Sequence, residues 1–198
     1  YYDLFPAMIN DWRKKWGKDF PFYWVQLANY MDAVEVPSES LWAQVREAQT
    51  QTLSLPHTGQ AVIIDIGEAK DIHPKNKQEV GRRLALHALH NDYGFSDVVC
   101  ESPMPKTVRR VQDKIVVQFD NVADGLIVKN KYGYLMSFAV AGTDGVYKWV
   151  QAKVAGKDRV VLSCPDVIDP VSVRYAWGDN PDDANLYNSV GLPDRKSV

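Results

Sequence analysis

Two short, uninterrupted apolar runs, PFYWVQLA (residues 21–28) and AVIID (residues 61–65), alternate with segments of helical period. A strand with no polar side must be covered on both faces, which is the situation in a parallel sheet flanked by helices. The flanking segments agree. Phe5, Ile9, Trp12 and Trp16 recur at steps of four, three and four, which predicts a first helix. Lys14 and Lys15 suit its last turn and Gly17 its stop. Ser38 or Ser40 can cap a second helix whose inner face carries Leu41, Val45, Ala48 and Thr52. The turn signals Leu55-Pro56-His57-Thr58-Gly59 end it. Pro74 fits the first turn of a third helix that runs to about Asn91, with Val80, Leu84, His87 and Ala88 along one side. Helix, strand, helix, strand, helix is the order of an α/β layer. Two strands are fewer than the about five of a self-standing doubly wound sheet.

From about Ser102 the pattern changes. KIVVQF, GLIV, YLMSFAV, VYKWVQA, RVVLS and VSVRYAW are short strand candidates, punctuated by Asp124-Gly125 and Asp144-Gly145. They predict a β-sandwich of about 70 to 80 residues. The expected organisation is therefore α/β over residues 1–101 and all-β over residues 102–198. The closing GDNPDDANLYNSVGLPD, rich in Asn, Asp, Pro and Gly, reads as irregular.

Charge and hydropathy narrow the function. A net charge of −2 and the lack of a Lys/Arg run argue against nucleic acid as a partner. The apolar runs are too short to span a bilayer, so no membrane association is expected. No signal peptide is visible, and the chain opens on Tyr1 rather than Met, which points to a processed, cleaved or truncated product. Cys100 and Cys164 show no Cys-x-x-Cys or His-rich zinc spacing and read as two separate small hydrophobes.

The segment KDIHPKNKQEVGRRLALHAL (residues 70–89) carries the clearest chemistry. In extended chain, residues two apart project to one side, so Asp71 can reach the His73 ring. A carboxylate on one imidazole nitrogen fixes the tautomer and supports the transient imidazolium of a general base. The positive end of the following helix is expected to work the other way and disfavour a protonated ring at rest. The loop also follows a predicted strand, at the edge where open α/β sheets bind ligands. The same residues fit a plain helix cap, with Asp71 answering the helix dipole. His57, His87 and His90 read as turn or packing residues. No nucleophile accompanies the base. GFSD (residues 94–97) lacks the final Gly of a Gly-x-Ser-x-Gly elbow, and Ser38, Ser40, Ser54, Ser102, Ser137 and Ser163 lack a strand-turn-helix setting. Neither cysteine has an activating neighbour in sequence.

LFPAMINDWRKKWGKDFPFYWVQLANY, LWAQVREAQ, HTGQAVIIDIGEAKDIHPKNKQEVGRRLAL and PVSVRYAWGDNPDDANLYNSVGLP together resemble the later part of bacterial sialate O-acetylesterases. The resemblance covers nearly the whole chain in order. It implies part of an SGNH-type, flavodoxin-like α/β hydrolase domain followed by the β-sandwich. It also implies a nucleophile in a Gly-Gln-Ser-Asn block and an oxyanion-hole Gly-Glu-Ser-Asn block, neither of which is in these 198 residues. The serine would then come from an upstream segment or an N-terminal fragment. By the same resemblance His73 is the catalytic histidine, with Asp71 the first candidate for its acid. Lys70 stands three residues before His73, where many such enzymes place the acid, so Asp65 and a Ser-His dyad supported by a backbone carbonyl remain alternatives. ESPMPK and the closing DRKSV depart from the family wording. The implied reaction is hydrolysis of O-acetyl groups from sialic acids in a periplasmic or secreted setting, with no metal or organic cofactor. An acetyl xylan esterase is a neighbouring reading. A carbohydrate-binding module built on Trp149, Tyr175, Trp177 and Tyr187 is one of another class.

Overall fold

A computed structural model describes residues 1–194; residues 195–198, and with them most of DRKSV, lie outside it. The first helix, α1 (Leu4–Trp16), ends where Gly17 takes a left-handed φ of 61°. Its buried face is Phe5, Ile9 and Arg13, whereas Trp12 and Trp16 are exposed. The i, i+4 spacing from Ile9 leads to Arg13, not Trp12, and Arg13 is affordable inside because its guanidinium donates to the carbonyls of Phe20 and His57. Ser40 caps α2 (Leu41–Gln51), accepting from Ala43 N at 2.9 Å. Its inner face is Ala43, Arg46, Ala48, Gln49 and Thr50, and the expected Leu41 is exposed.

β1 (Phe22–Val25) and β2 (Thr58–Ala61) pair in parallel as a two-stranded sheet. The strand expected at residues 61–65 thus begins earlier and stops at Ala61. Two facts explain the shift. Thr58-Gly59-Gln60-Ala61 carries no apolar signal, because Gln60 is paired inside: it accepts from Trp24 Nε1 at 2.8 Å and donates to Thr50 Oγ1 at 3.1 Å. Val62 and Ile64 leave the ladder and enter the core of the β-rich half. The third helix, α3 (Lys77–Asn91), also starts later than expected. Asn76, not Pro74, marks its entry, with Oδ1 accepting from Glu79 N at 3.1 Å. The residues it buries are Arg83 and His87.

The second half is antiparallel. β3 (Met104–Val111), β4 (Lys114–Asp120), β8 (Gln151–Ala155) and β9 (Arg159–Ser163) form one sheet in the order β3-β4-β9-β8. β6 (Phe138–Ala141), β7 (Tyr147–Trp149) and β10 (Ser172–Tyr175) form another in the order β10-β6-β7. β5 (Leu126–Val128) pairs with β11 (Leu186–Asn188). VYKWVQA is two strands because the chain changes sheet at Val150: β7 pairs with β6 while β8 pairs with β9. β11 lies inside the stretch expected to be irregular, and all three of its residues are buried. β3 gave no strand signal because it is an exposed edge rich in Lys and Arg, a composition that discourages further pairing. One hydrophobic cluster takes Ile115, Val117 and Phe119 from β4, Leu162 from β9, Phe138 from β6 and Tyr175 from β10. Cys164 belongs to this cluster, and Cys100 is buried as well.

The closing segment stitches the halves together. Tyr30 N donates to Asp179 O at 3.1 Å. Asn29 Nδ2 donates to Asn180 Oδ1 at 2.7 Å, and Asn180 Nδ2 to Met31 O at 2.9 Å. Arg46 donates to the carbonyls of Ala176, Gly178 and Asp179. Burial works against the charge of Arg46 and lowers its pKa to about 10, with Asp179 opposing that drift.

Candidate active site

Because β1 and β2 run in parallel, the loops that follow them leave the same edge, and they meet there. Gly67 N donates to Asn29 Oδ1 at 2.7 Å, and Met31 N donates to Ala69 O at 2.9 Å. A Cβ on Gly67 would fall 2.1 Å from Asn29 Oδ1, so glycine permits this approach. The loop beyond is braced by Lys75, whose Nζ donates to Glu68 Oε2 at 2.7 Å, and by Pro74, which is buried.

His73 stands on this loop with its side chain 81% exposed. Asp71 Oδ1 accepts from His73 N at 2.9 Å and lies 3.2 Å from His73 Nδ1. With Nδ1–H given to the carboxylate, Nε2 carries the lone pair of this largely exposed ring. Asp71 is the hydrogen-bond partner of the ring among the described residues. These two hydrogen bonds, the backbone one first, hold the Asp71 carboxyl below its ordinary range. In sequence His73 precedes α3 and its N-cap Asn76, with residues 74–76 between the histidine and the first helical residue.

Asp65, the alternative acid, is committed elsewhere. Its Oδ1 accepts from Arg83 Nη1 at 2.6 Å and its Oδ2 from Arg83 Nη2 at 2.9 Å. Tyr187 Oη donates to Oδ2 at 3.2 Å. Burial, then the Asp65 charge, push the Tyr187 hydroxyl pKa up. Arg83 Nη1 also donates to Val62 O at 2.6 Å, and Nε to Glu79 Oε1 at 2.8 Å. Asp65 and Arg83 thus lock the base of the loop to α3. The sequence singled out Asp65 but gave no sign of Arg83, which sits among exposed helix residues.

The other histidines separate from this site. His57 has a positive φ of 53°, and its carbonyl closes contacts to Phe22 N and Arg13. His90 Nδ1 lies 2.8 Å from Val98 O. His87 is buried beneath Tyr23, with its Nε2 3.1 Å from Gln60 O. Of the serines, Ser40 caps α2 and donates to Asp179, and Ser137 donates to Asp183. The four aromatics proposed for a sugar platform divide. Tyr175 and Tyr187 are buried, while Trp149 and Trp177 line one cavity of about 330 Å³ together with Glu35, Asp182 and Asp183.

No family model matches the chain. The chain is similar to the sialate O-acetylesterases of Mus musculus, 28% identical over 203 residues, and Homo sapiens, 28% identical over 200 residues. Each alignment takes in 89% of this chain but only 36% and 37% of those proteins. Among solved structures it is similar to a carbohydrate acetylesterase from Xanthomonas citri, with a TM-score of 0.91 and 44% identity over 99% of this chain and 45% of that one. The chain therefore spans little more than a third of the curated relatives' length. These likenesses support an esterase family.

Proposed function

We propose that this chain supplies the proton-handling half of a carbohydrate O-acetylesterase centre. The observation that carries the reading is an exposed imidazole whose Nδ1 is 3.2 Å from a carboxylate, on a loop at the carboxyl edge of a parallel sheet. In this reading a serine hydroxyl from sequence beyond these 198 residues attacks the acetyl carbonyl. His73 Nε2 takes the hydroxyl proton and returns it to the leaving sugar oxygen. Water then enters by the same base and releases acetate. Asp71 keeps Nδ1 protonated and offsets the charge that the ring acquires. The names of the similar proteins support an acetylated carbohydrate as substrate, with O-acetylated sialic acid the finer proposal.

Replacing His73 with Ala in the full-length enzyme should lower the rate about 10³-fold or more while the fold is kept. Activity close to wild type would refute the assignment. Acetate release from O-acetylated sialic acid against acetylated xylan decides the substrate, and a strong xylan preference would replace sialate. The cavity between Trp149 and Trp177 favours a second, non-catalytic role in holding the glycan. Weaker glycan binding by Trp149→Ala, with turnover at saturation unchanged, is its signature.

A further inference from the structure

A second constellation lies away from His73. Ligand-capable atoms of His87, Cys100 and Glu101 all come within 4.8 Å of one another, and His87 Nδ1 is 3.8 Å from Glu101 Oε1. The thiol and imidazole are buried, and the Glu101 side chain is 35% exposed. The three residues come from two places: His87 from the buried face of α3, and Cys100 and Glu101 from the segment that leads into β3.

The imidazole is oriented in the way metal-binding rings are. His87 Nε2 lies 3.1 Å from the Gln60 carbonyl, which can only accept, so Nε2 carries the hydrogen. Nδ1 is then the lone-pair nitrogen, and it is the one 3.8 Å from the Glu101 carboxylate. An N–H given to a backbone carbonyl is the usual outer support of a zinc-bound histidine. The ring is fixed further by stacking on Tyr23, at 5.7 Å and 24° between planes. A Cβ on Gly59 would fall 2.6 Å from Nδ1, so glycine leaves the ring its place. Zinc takes nitrogen and oxygen at about 2.0–2.2 Å and sulfur at about 2.3 Å, which sets tetrahedral ligand edges of roughly 3.3–3.6 Å. The observed separations, all within 4.8 Å, close to those edges with side-chain adjustment of up to about 1.5 Å.

We propose that His87 Nδ1, Cys100 Sγ and a Glu101 carboxylate oxygen form a site for a zinc-like divalent cation. The site ties α3 to the entry of the β-rich half. On binding, the Cys100 S–H bond breaks, its proton passes to solvent, and a metal–sulfur bond forms with no change of oxidation state. The partly exposed Glu101 provides the way in, and the fourth position is left to water. The competing arrangement is a metal-free thiol–imidazole–carboxylate cluster.

Cobalt(II), which reports sulfur ligation by its near-ultraviolet charge-transfer band, is the probe. Titration of the chelator-treated protein should give that band with saturation at one equivalent, and zinc should abolish it. The band should vanish in Cys100→Ser, persist in Cys164→Ser, and need a several-fold higher cobalt concentration in Glu101→Gln. Zinc should also raise the thermal midpoint of the wild-type chain and leave that of Cys100→Ser unmoved. A wild-type protein that stays folded yet shows no sulfur band at saturating cobalt would overturn the site, and this holds even if Cys100→Ser fails to fold. A band unchanged in a folded Cys100→Ser would overturn it equally.

Discussion

Replacement of Arg83 by Met tests the brace beneath the His73 loop. Arg83 and Asp65 are almost sealed from water, with side-chain exposures of 4% and 8%. Burial works against the Arg83 charge, but Asp65 and Glu79 outweigh it and hold its pKa above the ordinary value. Methionine fills most of the aliphatic volume, so the loss falls chiefly on the polar partners. Among the described residues Asp65 would keep only the Tyr187 hydroxyl, and Val62 O would lose its 2.6 Å donor. Breaking a buried pair from one side typically costs about 3–5 kcal/mol, because a charge is left buried and unpaired. At roughly 2–4 °C per kcal/mol for a protein of this size, the midpoint should fall by about 6–20 °C. Urea unfolding followed by tryptophan fluorescence measures the free energy directly. Adding Asp65→Asn removes the stranded charge, so the double variant should be more stable than Arg83→Met alone, with a coupling of about 2 kcal/mol or more. A loss below about 1 kcal/mol, or strict additivity of the two changes, would show that the pair does not carry the loop.

Glu79 is held down by Arg82 first and Arg83 second, which takes its pKa from 4.5 to about 2. Its folded pKa is depressed, so its contribution is complete above about pH 4.5 and is lost as the pH falls toward 2; Glu79→Gln should flatten the stability profile in that window, as read by thermal midpoints across pH. If the proposed function holds, Asp71→Asn in the full-length protein should reduce turnover by roughly tenfold, less than loss of His73, because an exposed pair is screened by water. Steady-state kinetics should place that loss in kcat rather than KM. Gly59→Ala forces a methyl against the His87 and Tyr23 rings and should cost about 1–3 kcal/mol in urea unfolding, since the contact distances of 2.6–2.9 Å leave no slack.

Periodicity exposed the elements that alternate cleanly and hid those that do not. α1 stood out, as did a cap for α2 at Ser38 or Ser40 (Ser40 in the structure) and KIVVQF and RVVLS, whose inward residues alternate with partly or fully exposed ones. β2 was misplaced because a buried Gln60, satisfied by Trp24 and Thr50, looks polar in sequence. The inner faces of the helices were misread for a related reason: Arg13, Arg46 and Arg83 are buried, each on carbonyl or carboxylate acceptors that no local pattern announces. The closeness of Asp71 to His73 was legible because it needs only two residues of extended chain. The commitment of Asp65 to Arg83 and Tyr187 was not, since those partners lie 18 and 122 positions away.

The hold of Asp179 and Asn180 on residues 29–31 has a consequence for how the protein is made. On the ribosome, Asn29 emerges some 150 residues ahead of the partner that fixes it. Until that partner arrives, the strand-edge loops carry only each other, and exposed apolar chain must wait without collapsing wrongly. A nascent chain stopped near residue 175 would keep His73 and Asp71 in its sequence yet lack the clasp on the loop beside them. A late nonsense or frameshift lesion should therefore disturb the assembly of this loop pair, though it leaves Asp71 and His73 themselves intact.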